Sequence, residues 1–461
     1  MDSKTKEFYK SFIVMTLTVA FQNLIVYGVN LADSVMMGAY SETALSGVGI
    51  CNNIQYLLHM CVMGIASGIT VIASRHWGEK DIDSMKLISA VGNVFSLAIS
   101  ALLFALCAFF PAGIISLFTD KSAVAAEAVK YLEIIKYTYI IYGATQILLA
   151  VLRAAEVVKI GFYVSLSSFG INILLNYALI FGKLGFPEMG IRGAAAATLI
   201  SRIIEITVVL VYIFFIDRRI NFRLPELFRS TGDTVKQYLR KGLPLFASSV
   251  SWGIAMSIQG SIIGRLVESA IAANSIVTTL FQVASIFTYA GAGAACVLIA
   301  KIIGEKADSE TIRKRSNGLQ LLFLAIGVIA SVILFSVKGL IIGFYDATPE
   351  TLHYTNVFTL ILCITIIGTS YQCPTLTGIV SGGGDTSFVL RNDIIFMWLI
   401  VLPASALSAF VFRFPVAVTF CCLKADQILK CPVAFFKAKS LNWIKKIQPG
   451  EAEETQSEKA E

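Results

Sequence analysis

The residue with most chemical interest is Asp33, because of where it falls in the chain. At 1.5 Å per residue, a helix from Ser11 would carry it about 33 Å along its axis. The apolar pattern continues past it through Val35-Met36-Met37-Gly38-Ala39-Tyr40. Its carboxylate would then sit at the outer surface of a bilayer or, in a longer tilted helix, within the outer half. An ionisable group inside the hydrocarbon costs at least about 2.5 kcal/mol at a helix centre, and such groups are functional candidates. Asn172 and Asn176 stand four apart, so their amides share one helical face. Taken by itself the pair reads as interhelical hydrogen bonding, a common use of Asn in membranes. Thr198 closes the small-residue run Gly193-Ala194-Ala195-Ala196-Ala197, which permits close helix approach. Together a carboxylate, two amides and a hydroxyl form a set of hard oxygen donors, suited to a sodium ion or to a proton held on the acid.

The remaining polar residues of apolar segments read as structural. Arg202 and Glu205, three apart, can pair on one face. Asp393 follows Arg391 near a helix end, and Asp426 accompanies Lys424 and Gln427. Enzyme chemistry finds little support. The three His, at 59, 76 and 353, form no H-E-x-x-H and no ligand spacing with acids. Gly382-Gly383-Gly384-Asp385-Thr386 lacks the Lys of a P-loop and reads as a turn or hinge. Nine Cys, mostly inside apolar runs and without a C-x-x-C pair, suggest neither a disulfide framework nor a zinc site. No cofactor is expected, and no metal beyond a coupling ion.

The elements that must position these residues follow from composition. Of 461 residues 56% are hydrophobic and 15% charged, with mean hydropathy +0.76; soluble domains carry about 25% charged residues. An ordinary water-soluble protein is excluded. Twelve apolar segments match the roughly 30 Å bilayer core: near 11–33, 45–74, 87–110, 132–152, 161–182 and 189–216, then 243–265, 270–300, 317–343, 355–380, 388–411 and 414–436. The expected fold is therefore an all-α polytopic membrane protein with twelve transmembrane helices. Lys4, Lys6 and Lys10 before the apolar stretch from Phe12 read as the flank of an uncleaved first span. With the N-terminus cytoplasmic, most of the 37 Lys and Arg fall on the inner side. The net charge of +7 thus reflects membrane orientation and does not point to nucleic acid. Both termini are expected in the cytoplasm.

The chain also matches itself. An offset of 226 aligns Glu42-Thr43-Ala44 with Glu268-Ser269-Ala270 and Gly78-Glu79-Lys80 with Gly304-Glu305-Lys306. Offsets of 227 and 229 align Ile114-Ile115 with Ile341-Ile342 and Ala154-Ala155-Glu156 with Gly383-Gly384-Asp385. Each half holds an even number of spans, so the duplication is a parallel repeat about an axis along the membrane normal. The expected organisation is an N-lobe over 1–216, a basic cytoplasmic linker over 217–241, a C-lobe over 242–447 and an acidic, solvated tail over 448–461.

In these motifs the chain resembles the multidrug and toxic compound extrusion (MATE) family of bacterial type, from about Ser11 to Ile447. The likeness rests on Asp33-Ser34-Val35-Met36-Met37-Gly38, Leu152-Arg153-Ala154-Ala155-Glu156, Asn172-Ile173-Leu174-Leu175-Asn176-Tyr177 and Phe186-Pro187-Glu188-Met189-Gly190-Ile191-Arg192-Gly193. It extends through Ala272-Ala273-Asn274-Ser275-Ile276, Gly382-Gly383-Gly384-Asp385-Thr386 and Asp426-Gln427-Ile428-Leu429-Lys430 to Trp443-Ile444-Lys445. The resemblance implies two pseudo-symmetric six-helix lobes in a V, and a monomeric antiporter of the cell membrane that exports amphiphilic small molecules, organic cations among them, in exchange for Na⁺ or H⁺. It implies an N-lobe coupling site in which Asp33 matches the family's span 1 aspartate. Asn172 and Asn176 match the span 5 positions, where some relatives carry Asp in place of Asn176, and Thr198 matches the span 6 threonine. The C-lobe departs from the pattern, with Ser248-Ser249-Val250-Ser251-Trp252 where relatives often place a Glu before the Trp, so a second carboxylate site is not expected in spans 7, 8 and 10. A lipid-linked-precursor flippase would need an interior cationic cluster that the sequence does not display. A membrane enzyme or receptor lacks a catalytic constellation and would not explain the duplication.

Overall fold

The computed structural model describes residues 3–343 and 348–445; the expected acidic tail lies outside them. Among the described residues every element is helical, with one isolated bridge between Gly384 and Ile444. The first half runs α1 (Ser3–Tyr40), α2 (Glu42–Glu79), α3 (Ile82–Phe109), the short α4 (Pro111–Ser116), α5 (Ser122–Ile135), α6 (Tyr137–Ala154), α7 (Lys159–Ile180) and α8 (Ile191–Val211). A π-helical turn, Tyr212–Ile216, extends α8, and the linker carries a 3-10 turn and α9 (Gly232–Lys241). The second half runs α10 (Leu243–Ile263), α11 (Glu268–Ala284), α12 (Ile286–Gly304), α13 (Ser309–Gly343), α14 (Pro349–Cys373), α15 (Thr386–Asp393), α16 (Leu402–Ala406), α17 (Val416–Leu423) and α18 (Asp426–Ser440).

Among the described residues nine helices are long and apolar enough to cross a membrane, and α5 with α6, bent by 51°, makes a tenth. The two other expected spans are helical but different in kind. Span 7 is α10, whose 21 residues include several Ser and Gly. Span 12 is interrupted between α17 and α18, and α18 carries Pro432 inside it. Span 8, expected as one helix over 270–300, breaks at Ser285, whose hydroxyl donates to the Phe281 carbonyl at 2.6 Å. A serine that bonds its own preceding turn competes with the backbone ladder and bends helices.

Local signals set several helix ends. Asp81 caps α3 by accepting the Ser84 N–H at 3.0 Å, which satisfies one of the donors that a helix start leaves over. Lys80 and Lys306, equivalent in the two repeats, have φ of 60° and 56°. Both close their helices in the left-handed conformation usual just past a helix end.

Two compact units result. One contains residues 21–73 and 81–238; the other contains residues up to Ala20, the segment 74–80 and everything from Leu239 onward. In the first, Ile54, Leu58, Leu132, Tyr139 and Ile180 form a buried core. In the second, Phe358 and Phe420 stack at 4.0 Å within a core from α10 to α17. Large apolar side chains such as Leu31, Leu102, Phe215, Leu321, Ile364 and Leu399 are exposed; on this scale such exposure is that of a lipid-facing surface.

The segment 74–80 belongs with the second unit because of a close helix crossing. A Cβ at Gly78 would lie 2.1 Å from the Lys301 carbonyl oxygen, and one at Gly304 would lie 2.2 Å from the Arg75 carbonyl oxygen. Both obstacles are backbone and cannot swing aside. Gly78→Ala is expected to cost about 1–3 kcal/mol by overpacking, seen as a lower midpoint for thermal unfolding of the detergent-solubilised protein; wild-type melting would show that the crossing tolerates separation.

The glycine cluster serves as a turn. Gly384 adopts a φ of 92°, and a Cβ at Gly383 would meet the Trp443 ring at 2.1 Å. Trp443 is fully buried, its indole N–H donating to the Ala438 carbonyl at 2.9 Å. The Lys445 N–H donates to Gly383 O at 2.8 Å, and Arg75 Nη1 donates to Lys445 O at 2.7 Å. Lys241 Nζ reaches Gly384 O at 3.0 Å. Burial and then the neighbouring Arg240 hold this lysine below its ordinary value, against the opposing pull of Asp385.

Candidate functional site

The first unit brings three of the four expected residues into direct contact. The helix α1 runs through Tyr40, so Asp33 sits about two turns inside its end. It is half-buried, and the Nδ2 amide of Asn176 donates to its Oδ1. The same amide donates to Asn172 Oδ1 at 3.1 Å. Both asparagines are buried on α7, where a spacing of four stacks their amides. Asn176 Oδ1 is buried with no hydrogen-bond partner among the described residues. An unsatisfied buried acceptor is costly, and here it lies one carbon from the amide that touches the acid.

Thr198 joins at one remove. Its hydroxyl donates to the Ala194 carbonyl at 3.0 Å, and Tyr131 of α5 neighbours both Thr198 and Asp33. Sequence reading does not single out Tyr131, since nothing in its spacing marks it.

Arg202 and Glu205 pair at 2.5 Å as their spacing suggests, with Glu205 nearly inaccessible. They do more than close a helix face. The Arg202 guanidinium lies 5.5 Å from the centroid of the Tyr142 ring, within the range of a cation–π contact. Tyr142 in turn hydrogen-bonds His59 Nδ1 at 2.5 Å. Arg202 and Asp33 interact electrostatically. Two carboxylates, one guanidinium, two amides and two phenols therefore share one neighbourhood.

The second unit holds its ionisable groups differently. Asp33 shifted by 226 falls on Gln259, which is buried and donates Nε2–H to Met397 Sδ at 3.3 Å. The half-buried Asp393 and the buried Asp426 of this half lie on α15 and α18. Asp393 of α15 accepts from Lys430 Nζ at 2.8 Å on one oxygen and from Ser248 Oγ at 2.5 Å on the other, while Lys430 also lies 3.7 Å from Asp426. Ser251 accepts from the Trp398 indole N–H at 2.7 Å. Spacing alone places Asp393 and Asp426 separately near helix ends and does not reveal the lysine they share.

A duplicated bundle of apolar helices with a half-buried acid among amides is the architecture of a membrane transporter. The MatE family model matches residues 19–178 and 244–407, and the chain belongs to that family, as a bacterial MATE-type transporter in a membrane. It is 25% identical over 426 residues to the uncharacterized transporter YisQ of Bacillus subtilis, covering 90% of each chain. It is 24% identical over 449 residues to the probable multidrug resistance protein NorM of Thermotoga maritima, covering 95% of this chain and 94% of that one. Among solved structures it matches a Pyrococcus furiosus MOP superfamily transporter, described as having a binding pocket of reverse polarity that suggests a different function. That match has a TM-score of 0.85 at 16% identity, over 95% of this chain and 96% of that one. An outward-facing multidrug resistance MATE family transporter matches with a TM-score of 0.83 at 17% identity, covering 94% and 95%. These structures establish the twelve-helix, two-lobe fold.

Proposed function

We propose that the chain is a secondary antiporter that exports organic cations or other amphiphilic small molecules by alternating access, in exchange for H⁺ or Na⁺ bound at Asp33. The observation that carries this reading is the Asp33–Asn176–Asn172 chain on two helices, with the Asn176 Oδ1 acceptor left over. Cation uptake at the acid changes the hydrogen bonds of α1 and α7 together, which gives the N-lobe two arrangements for two ligands. Thr198 acts through Tyr131 and completes the polar wall. A membrane potential would add about 2.3 kcal/mol per charge per 100 mV to the driving force. Both termini are assigned to the cytoplasm and the working unit to a monomer. A flippase for pyrophosphate-linked lipids is less well supported, because Arg202 and Lys430 are paired with carboxylates and Lys424 lies over the Phe281 and Phe420 rings. The test is efflux of a fluorescent organic cation from proteoliposomes under an imposed Na⁺ gradient, then under a pH gradient. Efflux driven by one gradient is expected; none under either would overturn antiport.

A further inference from the structure

We propose that Lys424 and one polar face of α11 form a subsite in the second unit for the carboxylate of an amphiphilic substrate, so that the exported molecules carry an acid group. This deepens the antiport reading above and rests on it. Lys424 stands where span 12 is interrupted, between the end of α17 at Leu423 and the start of α18 at Asp426. It follows Pro415 by nine residues, about 14 Å along a helix, and so lies near the middle of a hydrocarbon core roughly 30 Å thick. A lysine at that depth is costly and is ordinarily paired.

This one is caged instead. Its Nζ is 5.5 Å from the centroid of the Phe281 ring and 5.7 Å from that of Phe420, and Phe420 is fixed by stacking on Phe358 at 4.0 Å. Ring faces attract a cation without cancelling its charge. Among the described residues Lys424 forms no ion pair and donates no side-chain hydrogen bond. Asp426 attracts it from beyond ion-pair distance. That acid is 3.7 Å from Lys430, and Asp393 is 2.8 Å from the same lysine. Two acids and one lysine are thus bonded among themselves, while the Lys424 ammonium is half-exposed.

The neighbouring wall has hydrogen-bonding capacity to spare. Asn274, Thr278 and Phe281 follow at spacings of four and three on α11, so they share one face, with Thr278 one turn from the ring beside the ammonium. Other hydroxyls of this helix bond back to their own preceding turn, Ser275 to Ile271 O and Thr279 to Ser275 O, both at 3.2 Å. Neither Asn274 nor Thr278 makes a side-chain hydrogen bond among the described residues, and Thr278 is exposed. Span 8 also breaks at Ser285, one turn beyond Phe281. Two discontinuous spans therefore meet at one ammonium, and discontinuous helices are where many transporters build their binding sites.

The ligand chemistry follows from the donors. An ammonium has three donors and no acceptor, so it takes an anion. The Thr278 hydroxyl can donate to the same group, and the Asn274 amide, a further turn away, can meet the body of the molecule. One lysine suits a single carboxylate; a pyrophosphate would call for several cations.

The test measures binding of two dyes to the full chain in detergent by fluorescence anisotropy: tetramethylrhodamine with its free carboxylate, and the methyl ester of the same dye. At neutral pH the free acid is ionised. Wild type should bind the acid more tightly than the ester. Lys424→Gln should weaken acid binding by about tenfold, the low end for a hydrogen bond to a charged group, and leave the ester unchanged. Lys424→Arg keeps the charge and should keep the preference. An ester bound as tightly as the acid by wild type overturns the inference, and this arm needs no variant to fold. A monodisperse Lys424→Gln protein that keeps the acid preference, or that loses both dyes alike, also overturns it. Binding needs no gradient, so acid-selective binding without gradient-driven efflux would overturn antiport and leave the subsite standing.

Discussion

Asp33→Asn is expected to bring gradient-driven efflux down to the level of empty liposomes, with the protein still inserted and monodisperse. The amide has nearly the shape of the carboxylate and can still accept from Asn176 Nδ2, so the contact between α1 and α7 survives. What it loses is the capacity to take up a cation or a proton at membrane depth, and Asp393 and Asp426 of the second unit are held by Lys430. Glu205 is committed to Arg202 at 2.5 Å, and the equivalent position in the second half is Gln259. Thermal stability should stay at or above that of wild type, because an ionisable group in the membrane has been replaced by a neutral one. Flux in proteoliposomes and melting in detergent check the two halves of the prediction. Normal coupled efflux by this variant would remove Asp33 from the mechanism.

Lys430→Met should have the largest effect on stability, about 3–5 kcal/mol, the range for deleting one partner of a buried ion pair. Lys430 is buried, 2.8 Å from Asp393 and 3.7 Å from Asp426. Without it two carboxylates face each other among apolar helices, and the Ser248 hydroxyl satisfies only one oxygen of one of them. Adding Asp393→Asn to the same protein should recover a substantial part of the loss. A double-mutant cycle on unfolding midpoints measures this coupling. If Lys430→Met alone melts like wild type, the cluster is solvated and does not hold the second unit together.

Much of this was legible in the chain. Twelve apolar segments of bilayer length, the repeat offset and the fourfold spacing of Asn172 and Asn176 each express a local period. Such periods survive in one dimension. The Arg202–Glu205 pair was readable for the same reason. Spacing left Asp33 between the outer surface and the outer half of a bilayer, and the run of α1 to Tyr40 carries the helix beyond it. Tyr131, Tyr142 and His59 were not legible, because they reach the site from three different helices and an aromatic residue in an apolar run looks alike whether it faces lipid or a partner. The break at Ser285 was hidden for another reason. A serine that bonds its own turn and one that faces a neighbour leave the same mark on a hydropathy profile. Lys430 illustrates a third limit, since its partner Asp393 belongs to a different helix, far outside the reach of any local period.

The crossing of Gly78 and Gly304 has a consequence for ancestry. Gly78 rests on the carbonyl of Lys301 and Gly304 on that of Arg75, and the repeat offset of 226 relates the two glycines and equally the two carbonyls. Residue i meets j while the copy of i meets the copy of j, which is the rule of an isologous, two-fold interface. Two identical half-length chains would form the same contact without any change of sequence. The crossing is thus self-complementary in the way a homodimer interface is, and the fusion that joined the halves had no need to invent it.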